Sequence, residues 1–112
     1  MFRIPTNETF WAKVKTAYTD EEGRRINGEF EIQCKRMTIP QASDLFDSFR
    51  ETDHPNANFL DGIVIGWRGV NGDDNQPLAF SAEALRAISD AGFAGAMVAA
   101  FYENLQGTRV KN

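Results

Sequence analysis

The loop Asn71–Gln76, reading NGDDNQ, gathers carboxylate and amide oxygens of the kind a hard cation binds. A calcium loop of the EF-hand type needs oxygen ligands at positions 1, 3 and 5, Gly at 6 and a chelating Glu at 12. Starting at Asn71 places Asn71, Asp73 and Asn75 correctly, but position 6 is then Gln76 and position 12 is Ala82. A tight turn explains the same residues better, because Asn and Gly accept left-handed backbone angles and Asp caps its own backbone. Cys34 and His54, the only residues of their types, would make a thiolate–imidazole pair for covalent chemistry. Cys34, however, continues an apolar strand face and reads as a buried structural thiol. One Cys and one His do not make a zinc site by themselves. Asp44, Asp47 and Glu51 could in principle do acid–base work, yet they fall opposite an apolar helical stripe and read as a solvated face. The glycines of GWRGVNG lack the Lys and Ser/Thr of a phosphate-binding loop. No catalytic, cofactor-binding or metal-ligating residue is assigned, and the expectation is a chain that is not an enzyme.

The elements that hold these residues follow from hydrophobic periodicity. Thr9–Tyr18 alternates, with Phe10, Ala12, Val14 and Tyr18 on one face and Trp11, Lys13 and Lys15 on the other, which predicts a strand. Glu29–Lys35 alternates more cleanly, with Phe30, Ile32 and Cys34 inward. The pair predicts an antiparallel hairpin with one wet face. The polar TDEEGRR segment is its connection. Asn27-Gly28 is a competing turn signal, read here as a bulge or weak point inside the second strand.

After Met37 the period changes to that of a helix. Thr38 and Gln41 match a capping box, and Pro40 falls in the first turn, where a missing N–H costs nothing. Ile39, Ala42, Leu45, Phe46 and Phe49 then form one stripe. Phe59, Leu60, Ile63, Val64 and Trp67 predict a second helix, with Ile65 making it apolar nearly all round. Ser81 caps a short third helix carrying Leu85 and Ile88. Gly92 opens a fourth, with Phe93, Met97, Phe101 and Leu105 on one stripe and Ala94, Val98 and Tyr102 on a second. Gly107 suits the position that ends it. Gly92, Gly95, Ala96, Ala99 and Ala100 would let this helix approach another backbone closely, as a core helix or as a self-association face. The fold class is therefore α+β, an N-terminal antiparallel β-hairpin packed against about four C-terminal α-helices. A single domain is expected over residues 1–112, with the hairpin in 1–37, the helical part in 38–107 and a polar tail in 108–112.

Composition narrows the partners. The chain has 112 residues, 42% apolar and 25% charged, with nine Phe and a net charge of −4. A nucleic-acid binder usually carries a basic face, so that class is disfavoured. Residues 1–36 hold seven Lys/Arg against six Asp/Glu, and residues 37–112 hold five against ten, balances of +1 and −5. The acidic two-thirds leaves solubility or a neutral-to-basic partner open as explanations. The start lacks the apolar core of a signal peptide. The apolar run from Ala91 to Tyr102 is shorter than the roughly 20 residues a bilayer span requires, so no membrane partner is expected. A single Cys fits a reducing compartment.

The segment FLDGIVIGWRGVNGDDNQPLAFSAEALRAI, taken with the closing AFYENLQGTRVKN, resembles the phage tail assembly chaperone family. The likeness lies in an apolar helix ending in Gly-Trp-x-Gly-Val, an Asp/Asn-rich turn, a Pro leading to an aromatic and Ser, a short helix, and an aromatic-rich helix closing on a Lys-Asn tail. Gly66, Trp67, Gly69, Val70, Pro77, Phe80, Ser81, Tyr102 and Asn112 stand at those positions. These are packing and capping residues rather than chemical ones.

The resemblance implies a non-enzymatic role in long-tail assembly. A member would bind the tape measure protein, keep it soluble and help recruit tail tube subunits. It would work in the host cytoplasm without a cofactor and be absent from the mature virion; a homo-oligomer through the small-residue face of the last helix stays open beside this. A structural tail or connector protein retained in the virion and a small regulatory module remain alternative readings. On this reading the loop after Trp67 is a joint, with Trp67 as the last core residue of its helix.

Overall fold

In the computed structural model, residues 1–105 are described. Two long strands, β1 (Thr9–Thr19) and β2 (Arg25–Lys35), are followed by helices α1 (Ile39–Phe49) and α2 (Pro55–Ile63). A short strand β3 (Val64–Arg68) comes next, and then helices α3 (Ala82–Ile88) and α4 (Ala94–Leu105). The α+β class holds. The sheet is three-stranded and antiparallel in the order β1-β2-β3, rather than a lone hairpin.

The hairpin register runs unbroken from Thr9 opposite Lys35 to Thr19 opposite Arg25. Gly28 lies opposite Thr16 without a bulge, so β2 begins four residues before the alternation at Glu29 suggested. Asp20 explains why the turn is at TDEEGRR. Its Oδ1 accepts from the backbone N–H groups of Glu22 and Arg24 at 2.9 and 2.8 Å, a side chain closing the turn in place of backbone. The irregularity is instead between Gln33 and Cys34, where β2 meets β3.

The expected second helix is the main correction. Helix α2 stops at Ile63 and the chain continues as β3, so Gly66 and Trp67 are strand residues. The run Ile63-Val64-Ile65 is β-branched and two glycines bracket it, which disfavours helix and favours strand. The helical spacing of Phe59, Leu60 and Ile63 is real, and all three are fully buried. Beyond them, pairing with β2 satisfies backbone groups that a free sheet edge would leave open.

Helix α1 begins as expected. Thr38 Oγ1 accepts from the Gln41 N–H at 3.2 Å, and the Thr38 N–H donates to Gln41 Oε1 at 2.9 Å. Ala42 of its stripe is buried and Leu45, Phe46 and Phe49 pack on the core, while Ile39 is exposed. The third and fourth expected helices follow one another across a kink within Ser89–Phe93. Gly92 makes the bend at φ 111°, a left-handed value that a side chain would resist. Counted across the kink, Ala82–Leu105 has the length and composition of a membrane-crossing segment, but Gly92 interrupts it, and Leu85, Met97, Ala100, Phe101 and Leu105 within it are buried in the core.

Helix α4 lies on β1 and α2 beside α4, so the core fills the space between the inner sheet face and the helices. Phe59 and Phe101 are at its centre, with ring centroids 5.5 Å apart and edge to face. Phe10 stacks on Phe101 at 5.8 Å, and Phe46 meets Phe59 edge-on at 5.3 Å. Offset and edge-on rings are the preferred packing of aromatic quadrupoles. Inward-facing Val14 and Ile32 are fully buried, Phe10 nearly so, and Phe30 is half-buried against the same core.

Candidate functional site

The helical layer is shorter than the hairpin. Tyr18 has the inner-face parity expected of it, yet it is 50% exposed, since among the described residues no helix covers that end of the sheet. The uncovered end of the inner face forms a groove of about 480 Å³. Tyr18 and Phe30 line it from the sheet, Ile88 and Phe93 from the helical bend, and Gly69 and Val70 from the chain leaving β3. Phe30, Val70, Ile88 and Phe93 are half-buried, so apolar surface is available without a breach of the core. A groove of this composition suits an apolar side chain or stripe from a partner, the mode by which helices and extended peptides dock.

The loop Asn71–Gln76 rims this groove as a closed joint. The Gly72 N–H donates to Gln76 O and the Leu78 N–H to Val70 O, at 2.9 and 2.8 Å. Asp74 Oδ1 accepts from the Gln76 N–H at 3.0 Å. Asn75 adopts φ 62°, the left-handed value that Asn tolerates. Its polar atoms are thus partly used in holding the loop's own shape. Among the described residues, no group of three or more His, Cys, Asp or Glu converges.

The residues that carry the family resemblance are distributed around the joint rather than gathered at one point. Gly66 lies opposite Gln33 on β2. Trp67 lies opposite Ile32 and is half-buried. Its Nε1–H donates to Leu78 O at 2.8 Å and its ring meets Phe80 edge-on at 5.2 Å. Gly69 turns the chain off β2 at φ 83°, and a Cβ there would lie 3.6 Å from the Phe30 Cα. Pro77 bridges to Asn71. Ser81 caps α3, accepting from the Ala84 N–H at 3.0 Å. Tyr102 is remote from the groove, stacked on Phe59 at 5.9 Å with its hydroxyl 3.4 Å from Ala42 O. Asn112 and Gly107 lie outside the described residues.

Cys34 and His54 are not brought together as a working pair. Cys34 is fully buried, and burial pushes its thiol up to about 12, so no useful thiolate exists at neutral pH. His54 is an exposed residue at the start of α2 with no capping bond. Asp44, Asp47 and Glu51 are exposed, and Asp47 pairs with Arg50. A second cleft, of about 420 Å³, lies at the start of α2 and is lined in part by Ser89, whose buried hydroxyl has no hydrogen-bond partner among the described residues. Asp53 and Asp90 line the same cleft and oppose an anion at that helix N-terminus.

The outer sheet face is a charged lattice. Arg68 Nε donates to Glu31 at 2.7 Å while its guanidinium lies 3.9 Å over the Trp11 ring. Lys13 faces Glu29 at 3.9 Å. The bond from Arg68 holds the Glu31 carboxyl below its ordinary value. Trp11 is thereby 37% exposed despite its position on the wet face. This stack and the third strand were not foreseen in the sequence. The residues were in view, Trp11 on the wet face of the first strand and Arg68 just after Gly66-Trp67, but nothing local said that the two would meet.

Comparison with family models, with curated proteins and with solved structures gives no match for this chain.

Proposed function

We propose that this protein is a non-enzymatic tail assembly chaperone, which binds a tape measure protein in the host cytoplasm and helps bring tail tube subunits to it. The observation that carries the reading is the apolar groove at the uncovered end of the sheet, bounded by Gly69 and Val70 of the segment that resembles the family. A tape measure protein is a long helical chain with apolar stripes. Such stripes aggregate unless covered, and a groove of half-buried aromatic and aliphatic side chains covers one short length of stripe. The net charge of −4 would keep a decorated client dispersed. Each domain covers only a short segment, so many copies would act on one client. The protein is released before the tail is complete and is not a virion component, and it needs no cofactor.

The test is co-expression with the neighbouring tape measure gene, scored by solubility and co-elution. The expected result is a soluble complex that Tyr18→Lys, at an exposed position of the groove, weakens while the variant alone keeps its thermal transition. If the tape measure is equally insoluble with and without the protein, and nothing co-elutes, the reading fails. Recovery of the chain from purified virions would favour the structural tail protein instead.

A further inference from the structure

The edge of β2 is only half used. Strand β3 pairs with residues Glu31 to Cys34, and Gly69 sits against Phe30 before turning the chain away, so among the described residues Arg25–Glu29 has no strand beside it on that side. Open space flanks this bare edge on both faces of the sheet. The apolar groove lies on the inner face, and a concavity of about 280 Å³ lined by Lys13, Glu31 and Arg68 lies on the outer one. Both touch Glu29, Phe30 and Gly69. A strand laid along the edge would place alternate side chains into the two spaces.

The same chain carries a segment with that pattern. Residues 1–6 make no hydrogen bond, ion pair or ring contact among the described residues. Phe2 is 78% and Ile4 73% exposed. Extended, Phe2 and Ile4 share one side and Arg3 takes the other. We propose that this N-terminal arm adds as a short strand to the free β2 edge of a second copy. Ile4 seats in the apolar groove opposite Gly28, Arg3 lies across from Glu29, and Phe2 turns into the groove beside Gly69, so an arm and an apolar stripe from a client would compete for the same groove.

Charge and shape both fit. Arg3 beside Glu29 repeats, two residues along β2, the pairing that Arg68 already makes with Glu31. Gly28 leaves room on the inner face, since a Cβ there would meet nothing within 4 Å. Pro5 has no N–H to offer, so the added ladder ends at Ile4. The opposite sheet edge is a poorer acceptor, because Lys13 and Lys15 of β1 would repel Arg3.

The arm cannot serve its own chain. It leaves β1 at Thr9, opposite Lys35. From there Glu29 is about 20 Å along the sheet and the added strand about 10 Å across it. Arg3 is six residues from Thr9, which reach about 21 Å at most, short of the roughly 22 Å needed before any detour round the sheet. Two copies exchanging arms reciprocally satisfy both edges with one two-fold axis. This inference does not rest on the chaperone reading, and no client is needed to test it.

Mass by light scattering across a concentration series is the first measurement. The full chain should pass from one copy to two as concentration rises. Phe2→Ser with Ile4→Ser should weaken that step by about a hundredfold or more, as loss of two apolar anchors does, with an unchanged thermal transition in the dilute, single-copy regime. A full chain that stays single throughout, or an arm variant that pairs equally well, overturns the proposal. A mixture of Ile4→Cys and Gly28→Cys chains, mildly oxidised, should give a covalent heterodimer. No heterodimer beyond that formed by Ile4→Cys with Ser43→Cys, or closure within a single chain carrying both Ile4→Cys and Gly28→Cys, would also overturn it.

Discussion

The indole Nε1–H of Trp67 donates to the carbonyl of Leu78 at 2.8 Å, across a loop of ten intervening residues. That bond, with the edge-on contact to Phe80, ties the end of β3 to the approach of α3. Trp67→Phe keeps most of the ring and removes the donor, leaving Leu78 O to water, so it should cost about 1 kcal/mol. Trp67→Ala also removes the packing and should cost about 2–3 kcal/mol, less than for a fully buried aromatic. Urea melts of the two variants check the order. Equal costs would mean that the hydrogen bond carries the whole effect.

Gly69→Ala should be destabilising by about 1–2 kcal/mol. The cause is the φ of 83° rather than lack of space. Gly28→Ala, at ordinary angles and in open space, should change stability by less than about 0.5 kcal/mol in either direction. Thermal melts of the pair separate backbone strain from crowding.

The Cys34 thiol, held up near 12 by burial, should resist alkylation in the native state at pH 8 and react promptly in denaturant. The linkage has a definite sign. The folded state keeps a proton that the unfolded state loses at about 8.5, so stability should be level below that pH and fall as pH rises towards 12. Cys34→Ala should flatten that alkaline limb. A native-state alkylation rate close to that of a free thiol would contradict the burial.

Glu31 behaves in the opposite sense. The Arg68 hydrogen bond lowers its pKa, so its contribution is present above the ordinary carboxylate range and is lost as pH falls through the folded value. Arg68→Met should remove that acid-side dependence. It should also uncover the Trp11 ring, now stacked under the guanidinium at 3.9 Å, and raise acrylamide quenching in a Trp11-only protein. An exposed pair contributes little to stability, so the quenching change is the sharper readout.

Local pattern alone determined a good deal of this protein. Period-two alternation identified both long strands and the inward set Phe10, Val14, Ile32 and Cys34, because a strand with one buried face must alternate. The Thr38–Gln41 capping box and the Ser81 cap were legible because each satisfies backbone donors within one turn. The NGDDNQ loop was readable as a turn for the same reason, since its bonds are internal to it. Tertiary structure decided the rest. Phe59 to Trp67 fits a helical face; the β-branched run and its two glycines weaken a helix there, but the open edge of β2 is what gave Val64–Arg68 a strand to pair with, and an edge supplied by residues thirty positions earlier leaves no mark on local periodicity. Tyr18 had the inward parity, yet its burial depended on how far the helices extend. The groove exists because two elements of unequal length meet, a relation between distant segments that no single stretch of residues encodes.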